Sequence, residues 1–352
     1  MIFEFGICLG FGYWDLEFAW GVMDLVAIWS GLIGLAIILY VVLDGFGLGI
    51  GLLFRSTRNE EERDILMDSI APVWDANQTW LVFGGGGVFV AFPMIYGVVF
   101  SALYIPLLTF VFGLIFRGVA FEFRAHAARK GPWNKAFFLG SLVAVIAQGL
   151  TLGGVLSGTK VVEDHFAGGS FDWLTPFSVT VALALIAGYI LLGSTYLIIK
   201  TTGTVQKRAY ARALQAAWIV LAFQILVTIW TPFHYPSALS NWFSPPRIYF
   251  IWIFPLIGLL AFYELIISLK KRREFLPFVF SVVFFFAGYL GLIASIYPYV
   301  VPPSITFQQA AAQQETLSFT LWGVIIVLPL VLGYTIYTYM VFRGKVGTER
   351  YY

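Results

Sequence analysis

Long apolar runs alternate with short charged ones along almost the whole chain. A helix needs about 20 predominantly apolar residues to cross the hydrocarbon core of a bilayer. Windows of that size predict nine spans, near residues 25–53, 77–97, 99–121, 136–157, 174–199, 213–232, 248–269, 275–297 and 317–341. The second and third are expected to be parted only by a tight turn around Tyr96–Gly97, after Pro93. Short connections should make neighbouring helices pack as antiparallel bundles. They also leave no room for a sizeable domain outside the membrane. In the second span, Gly84 to Gly87 form a run of small residues where a neighbour can approach closely, and packing alone suffices to account for it. No internal repeat and no low-complexity tract is present.

The charges between the spans then set a direction. Arg55, Arg58 and Arg63 follow the first span, and Arg117, Arg124, Arg129, Lys130 and Lys135 follow the third. Lys200, Lys207, Arg208 and Arg212 follow the fifth, and Lys270, Lys271, Arg272 and Arg273 the seventh. Arg343, Lys345 and Arg350 follow the ninth, so 19 of the 21 Lys and Arg fall on one side, with only Lys160 and Arg247 on the other. Because Lys and Arg accumulate in cytoplasmic loops, the N-terminus is expected outside and the C-terminus in the cytoplasm. An eight-span or ten-span reading would scatter this pattern. The opposite side receives Glu163, Asp164, Asp172, Glu315 and the long Pro-containing loops at 231–247 and 298–316.

Composition agrees with a membrane protein. Of 352 residues, 60% are hydrophobic and only 11% charged, and mean hydropathy is +0.86. Soluble domains carry about 25% charged residues, and a soluble sphere cannot hide this much apolar surface. A net charge of +2 with no basic block argues against nucleic acid as a partner. A single cysteine, Cys8, excludes an internal disulfide and a CxxC metal site. Residues 1–22 carry Glu4, Asp15 and Glu17 and lack the basic start and clean apolar core of a signal peptide. They are expected to be an N-terminal extension, with an alternative start at Met23. That leaves 23–345 as one transmembrane domain and 346–352 as a cytoplasmic tail.

Several chemistries are missing. His126, His165 and His234 each fall in a loop or at a helix end, and Met94 and Met340 lie near span ends. Axial haem ligation needs His, Met or Cys inside a bundle, so this chain is expected to ligate no haem and to hold no metal. It has no Walker A loop, no GxGxxG turn after a strand, no HExxH pair and no recognisable Ser–His–Asp set.

What remains is a short set of ionisable groups in apolar surroundings, functional candidates by default. Asp44 lies in YVVLDGFGLGIG, Asp75 in SIAPVWDANQTW, Arg117 and Glu122 in LIFRGVAFEFR, and Glu264 in AFYELIIS. On the expected topology all five lie in the cytoplasmic half. A buried carboxylate costs about 2.5–3.5 kcal/mol on insertion scales, and pairing with an arginine offsets part of this. Arg117 and Glu122, five apart on a helix, pair poorly with each other, so each should meet a polar group on another helix. Asp75 shares a helix face with Gln78 and Thr79. Together they form a polar stripe able to hold a water chain, as a proton path requires, and Asn77 is a further supporting polar group. Plainer readings stand alongside. Asp75 suits a first-turn carboxylate, Arg117 a snorkelling side chain, and Glu264 an end charge near Lys270. The glycines flanking Asp44 suit close backbone packing.

Three segments, YVVLDGFGLGIGLL, SIAPVWDANQTWLVFGGGGVFVAFPMIY and FRGVAFEFR, in that order, resemble subunit II of the cytochrome bd-type quinol oxidases, including their cyanide-insensitive branch. The resemblance runs from about Asp24 to Arg343. It implies an all-α polytopic protein of the cell's inner membrane, with two four-helix bundles plus one peripheral helix. The complex would oxidise ubiquinol or menaquinol and reduce O₂ to water. A partner subunit I would hold the haems, b and d or b alone, and the quinol site. A small accessory subunit and membrane lipid would complete the assembly. Taking protons from the cytoplasm while quinol releases them outside would make the reaction electrogenic without a pump.

The resemblance also implies roles for residues. Asp75 matches the carboxylate of the family's WD motif, part of a proton path toward the haems in subunit I. Asp44 matches the first acid of the DGF segment, and Arg117 and Glu122 the Arg and acid of the FRxxxF segment. One departure stands out: many members read DGFD, whereas Gly47 replaces the second acid here and no substitute acid lies nearby. A shorter route or water would then be needed. Two rival readings remain. A proton-coupled secondary transporter using Asp44 or Asp75 would ordinarily show broken helices or inverted repeats. A purely structural assembly subunit would need no proton role at all.

Overall fold

Asp24 starts the first helix by accepting a hydrogen bond from the Ala27 N–H at 3.0 Å, the ordinary work of an N-cap carboxylate. The computed structural model describes residues 24–57, 59–234, 239, 242–245 and 247–346. The expected N-terminal extension with Cys8 and Met23, the tail residues 347–352, Arg58, part of the 231–247 loop and the His234 side chain lie outside the described residues.

Helix α1 (Leu25–Leu53) runs into a 3-10 turn at Phe54–Ser56. Then come α2 (Glu60–Ile70), α3 (Trp74–Ala91), α4 (Pro93–Ala102), α5 (Tyr104–His126) and α6 (Lys130–Leu156). The hairpin β1 (Val161–Val162) and β2 (His165–Phe166) precedes α7 (Pro176–Lys200) and α8 (Gly203–His234). The chain continues through α9 (Arg247–Ile251), α10 (Ile253–Lys270) and α11 (Leu276–Ile296). A second hairpin, β3 (Tyr299–Val301) and β4 (Ile305–Thr306), leads through α12 (Phe307–Ala310) to α13 (Gln314–Val341).

Among the described residues, eight helices or helix runs are long and apolar enough to cross a membrane, and nine if the bent pair α3–α4 counts as one span. The bend corrects the expected boundary. The chain turns by 117° between α3 and α4, at Phe92 rather than at Tyr96–Gly97. The cause is Pro93, whose ring clashes with the preceding turn and which has no N–H to continue a helix, but which suits the first helical position. A further break at Leu103 starts the next span at Tyr104 instead of residue 99. Helix α3, of 18 residues, is then about 27 Å long at 1.5 Å per residue.

The pairs α5/α6, α7/α8 and α10/α11 pack side by side, as their short connections lead one to expect. Helix α1 is shared: it lies against α3, α6 and α7. At Gly49 a Cβ would fall 1.8 Å from the Tyr189 carbonyl oxygen, and at the facing Gly193 2.8 Å from the Gly49 carbonyl carbon. The α1 and α7 backbones therefore touch, which only glycine allows. Of the four-glycine run, Gly84 and Gly87 face Ala36 and Ile33 on α1, whereas a Cβ on Gly85 or Gly86 would meet nothing within 4 Å.

The two ends of the bundle differ in chemistry. At one end Val301 and Ile305 of the second hairpin pack with Leu25, Trp29, Phe92 and Leu317. There the Ala312 N–H donates to the Ala91 carbonyl at 2.9 Å, satisfying it at the α3–α4 break. At the other, basic end the acids of α2 are tied to α5, α6 and α8: Arg124 to Glu60 and Asp64, Lys130 to Asp64, and Arg208 to Glu62. The buried Lys200 ammonium donates to the carbonyls of Phe342 and Gly344 and so fastens the end of α13.

Candidate functional site

Asp44 and Arg117, 73 residues apart, meet in the core. Arg117 Nη1 donates to Asp44 Oδ1 at 2.9 Å, with the Arg117 and Asp44 side chains 1% and 0% exposed. The expectation that Arg117 finds its partner on another helix is met by α1. Two glycines bring the pair together. At Gly140 on α6 a Cβ would lie 2.7 Å from the Arg117 backbone nitrogen, so α6 presses directly on α5 at this level. At Gly47 on α1 a Cβ would lie 2.7 Å from Arg117 Nη2. The guanidinium therefore occupies the place where a side chain at position 47 would begin.

The pair is under-satisfied by protein. Asp44 Oδ2, Arg117 Nε and Arg117 Nη2 are buried without a well-formed hydrogen bond among the described residues, as is the Tyr40 hydroxyl, which lies close to the Asp44 carboxylate. Removing both charges from water costs several kcal/mol per ion even after relaxation, so a single bond leaves much of this uncompensated. Buried polar atoms of this kind are the usual partners of ordered water. The phenols of Tyr40, Tyr189 and Tyr339 lie within electrostatic reach of the Asp44 carboxylate. Two of them are anchored: Tyr189 Oη donates to Gln148 Oε1 and Tyr339 Oη to Asn77 Oδ1, each at 2.9 Å.

Asn77 is buried, and its Nδ2 donates to the carbonyl of Leu43, the residue before Asp44, at 2.7 Å. It thus turns inward, tying α3 to α1 and α13. Asp75 and Thr79 point the other way and are exposed, while Gln78 is half-buried with its Nε2 lacking a partner. Positions two apart on a helix face different sides, so Asn77 leaves the outward face, where the expected stripe keeps Asp75 and Thr79 with Gln78 at its half-buried edge. The outward face of α3 reads Asp75, Thr79, Val82, Gly86, Phe89. Among the described residues Asp75 makes no hydrogen bond or ion pair. The same holds for Glu122, exposed on α5, and for Glu264, half-buried on α10. The structure therefore brings Asp44, Arg117 and Asn77 to one place and leaves Asp75, Glu122 and Glu264 apart from it.

A second polar cluster was not legible as a site. At the basic end Arg124 Nη2 donates to Glu60 at 3.0 Å and Arg124 Nε to Asn134 Oδ1 at 2.6 Å, while Asn134 Nδ2 donates to Glu60 at 2.8 Å. Arg124 and Lys130 share Asp64 at 2.8 and 3.0 Å. Burial pushes both carboxyls up, but hydrogen bonds from Asn134 and Arg63 hold Glu60 below the usual range, and those from Lys130 and Arg124 do so for Asp64. A cavity of about 70 Å³ beside them is lined by Met67, Asp68, Phe121 and Arg124, among others. The signal was present in the sequence. Asn59 caps α2 through the Glu62 N–H, and Glu60, Asp64 and Asp68 recur at four-residue spacing along one face.

Among the described residues no histidine is buried. His126 is exposed at the basic end of α5, His165 is exposed in the hairpin at the other end, and Met340 is 57% exposed. Among the described residues no group of three His, Cys, Asp or Glu could hold a metal ion.

The family model for cytochrome bd terminal oxidase subunit II matches residues 25–342. The chain is 29% identical over 363 residues to the cytochrome bd-I ubiquinol oxidase subunit 2 of Escherichia coli (strain K12), covering 92% of this chain and 95% of that one. It is 27% identical over 335 residues to the cytochrome bd ubiquinol oxidase subunit 2 of Bacillus subtilis (strain 168), covering 91% and 96%. Its fold matches a chain in the structure of bd oxidase from Geobacillus thermodenitrificans with a TM-score of 0.76 at 18% identity, covering 92% of this chain and 100% of that one.

Proposed function

This chain belongs to the cytochrome bd terminal oxidase subunit II family, and on that premise we propose how it serves its complex. It is a multi-pass membrane subunit of a quinol oxidase, an oxidoreductase. The haems, b and d or b alone, sit in a partner subunit I, where quinol is oxidised and O₂ reduced. The basic end faces the cytoplasm, which puts the N-terminus outside and the C-terminus inside. The helices group as two four-helix bundles with one peripheral helix.

The α3–α5 face is the one that subunit I covers. Helix α5 exposes Leu108, Val111, Phe112, Ile115, Phe116, Val119 and Phe123 as one stripe, beside the outward face of α3 that carries Asp75. Turned to lipid, the Asp75 carboxylate would cost about 2.5–3.5 kcal/mol; covered by protein, it can be solvated by partner groups and water. Asp75 takes up protons from the cytoplasmic side at this interface. Thr79 on the same outward face and the half-buried Gln78 supply hydrogen-bonding neighbours, and Glu122 does so on α5. The Asp44–Arg117 pair holds a fixed charge couple behind α3, with water in the role that an acid at position 47 would fill. The observation that carries this reading is the exposed, unpaired Asp75 carboxylate on a largely apolar membrane face.

The test is Asp75→Asn in the whole complex. Assembled, haem-replete oxidase with low turnover is the expected result. A second reading, a scaffold without a proton role, is favoured by one observation: no hydrogen bond among the described residues leads from Asp75 toward Asp44. Normal turnover of the Asp75→Asn complex would leave that reading standing.

A further inference from the structure

At the end of the bundle opposite the basic residues, the 157–175 loop folds back over the α4–α5 junction and borders an open cavity of about 320 Å³. Leu103 and Trp173 form an apolar floor, Ser157 and Thr175 put hydroxyls on the wall, and Lys160 and Asp172 stand at the rim. The volume falls in the range of about 300–1,000 Å³ found for small-molecule sites.

The rim is built by the loop itself. Asp172 Oδ2 accepts the Gly169 N–H at 3.1 Å, and a Cβ at Gly168 would lie 2.7 Å from that same oxygen. The loop thus wraps the carboxylate and permits no side chain beside it. The Ala167 N–H donates to the Lys160 carbonyl at 3.0 Å, closing the hairpin beneath the lysine. Lys160 Nζ and Asp172 Oδ2 are 3.5 Å apart, beyond a good hydrogen bond, and the two side chains are 76% and 45% exposed. Such a loose, solvated pair contributes little by itself and exchanges partners readily. Inside, Ser157 Oγ and Thr175 Oγ1 lie 3.1 Å apart.

A fixed anion and a mobile cation over an apolar floor, at the ends of the membrane-crossing helices α6 and α7, match a ligand with the same two charges in reverse order and an apolar continuation. We propose that this cavity binds the headgroup of a zwitterionic phospholipid bearing a primary ammonium. The lipid phosphate replaces Asp172 as the partner of Lys160, and the ammonium donates to Asp172. The glycerol and first methylenes rest on Leu103 and Trp173. A trimethylated ammonium cannot donate to Asp172, and a headgroup with only an anion leaves Asp172 facing it without a partner, so an ethanolamine headgroup is preferred over choline or glycerol.

The intact oxidase complex, equilibrated in turn with phosphatidylethanolamine, phosphatidylcholine and phosphatidylglycerol, is read by native mass spectrometry for retained lipid. One phosphatidylethanolamine per complex should survive, with the other two lipids retained several-fold less. Lys160→Gln and Asp172→Asn should each reduce retention several-fold, and Lys160→Arg should keep it. Haem content and turnover should be unchanged in all three, since both residues lie outside the proton-uptake face. A photoreactive phosphatidylethanolamine should label peptides of the 157–175 loop. Equal retention of the three lipids, indifference to both charge-removing variants, or a quinone in the lipid's place would each overturn the proposal.

Discussion

Asp44 and Asp75 are acids set in apolar sequence on neighbouring helices, and the chain treats them in opposite ways. Asp44 is enclosed by its own subunit and held by Arg117 at 2.9 Å. Asp75 stands exposed on α3 without a partner of its own. An isolated subunit can meet the cost of a charge in the membrane by burying it in a pair, as at Asp44. It can also leave that charge for another subunit to solvate, as at Asp75. The first arrangement makes the acid part of the fold and the second makes it part of the assembly, so substitutions at the two should fail differently.

The largest effect is expected at the enclosed pair. Arg117→Ala strands a buried carboxylate, which costs about 3–5 kcal/mol, so little folded subunit should accumulate in membranes by immunoblot. Replacing both partners together, Asp44→Asn with Arg117→Gln, should recover part of the loss. If Arg117→Ala assembled normally, the pair would not be a structural element at all. Asp75→Asn comes next and should leave assembly and haem content intact while lowering turnover by about tenfold or more, as loss of a proton-transfer group does. An assembly defect there instead would erase the contrast between the two acids.

Gly47→Ala is expected to be milder than Arg117→Ala. Its Cβ would sit 2.7 Å from Arg117 Nη2, and overpacking of this kind costs about 1–3 kcal/mol. A lowered thermal midpoint in the purified complex, with the haem partner still bound, would show it. The smallest effect is at the basic end. The Glu60 and Asp64 carboxyls are held below their usual range in the folded chain. The stability they contribute is therefore full above the unfolded carboxylate value of about 4 and is lost as pH falls through the lower folded value. Hydrogen exchange in residues 60–70 should rise below about pH 4 before exchange in α1 does.

The spans and the grouping of the charges at one end were legible because a hydrocarbon slab imposes one length and one composition on every crossing. The α3–α4 break was misplaced because Pro93 was read as preceding a turn, whereas it opens a helix. That Arg117 needed a partner on another helix was legible from its spacing to Glu122. Which partner was not, since Asp44 is remote in sequence and only the α1–α5–α6 packing at Gly47 and Gly140 brings the two together. The stripe at 75–79 was half right. Spacing groups Asp75 with Gln78 and Thr79 and sets Asn77 on another face, but nothing local says that this other face meets Leu43 and Tyr339. At the basic end, Arg124 and Lys130 served as markers of sidedness, and their use as clamps on α2 appears only when that helix is docked.

The bond between Tyr339 and Asn77 spans 262 residues. Helix α13 thus delivers the phenol that completes a contact begun by the second crossing, within electrostatic reach of the buried Asp44. A translation product cut short before residue 339 leaves the Asn77 carboxamide oxygen without that donor.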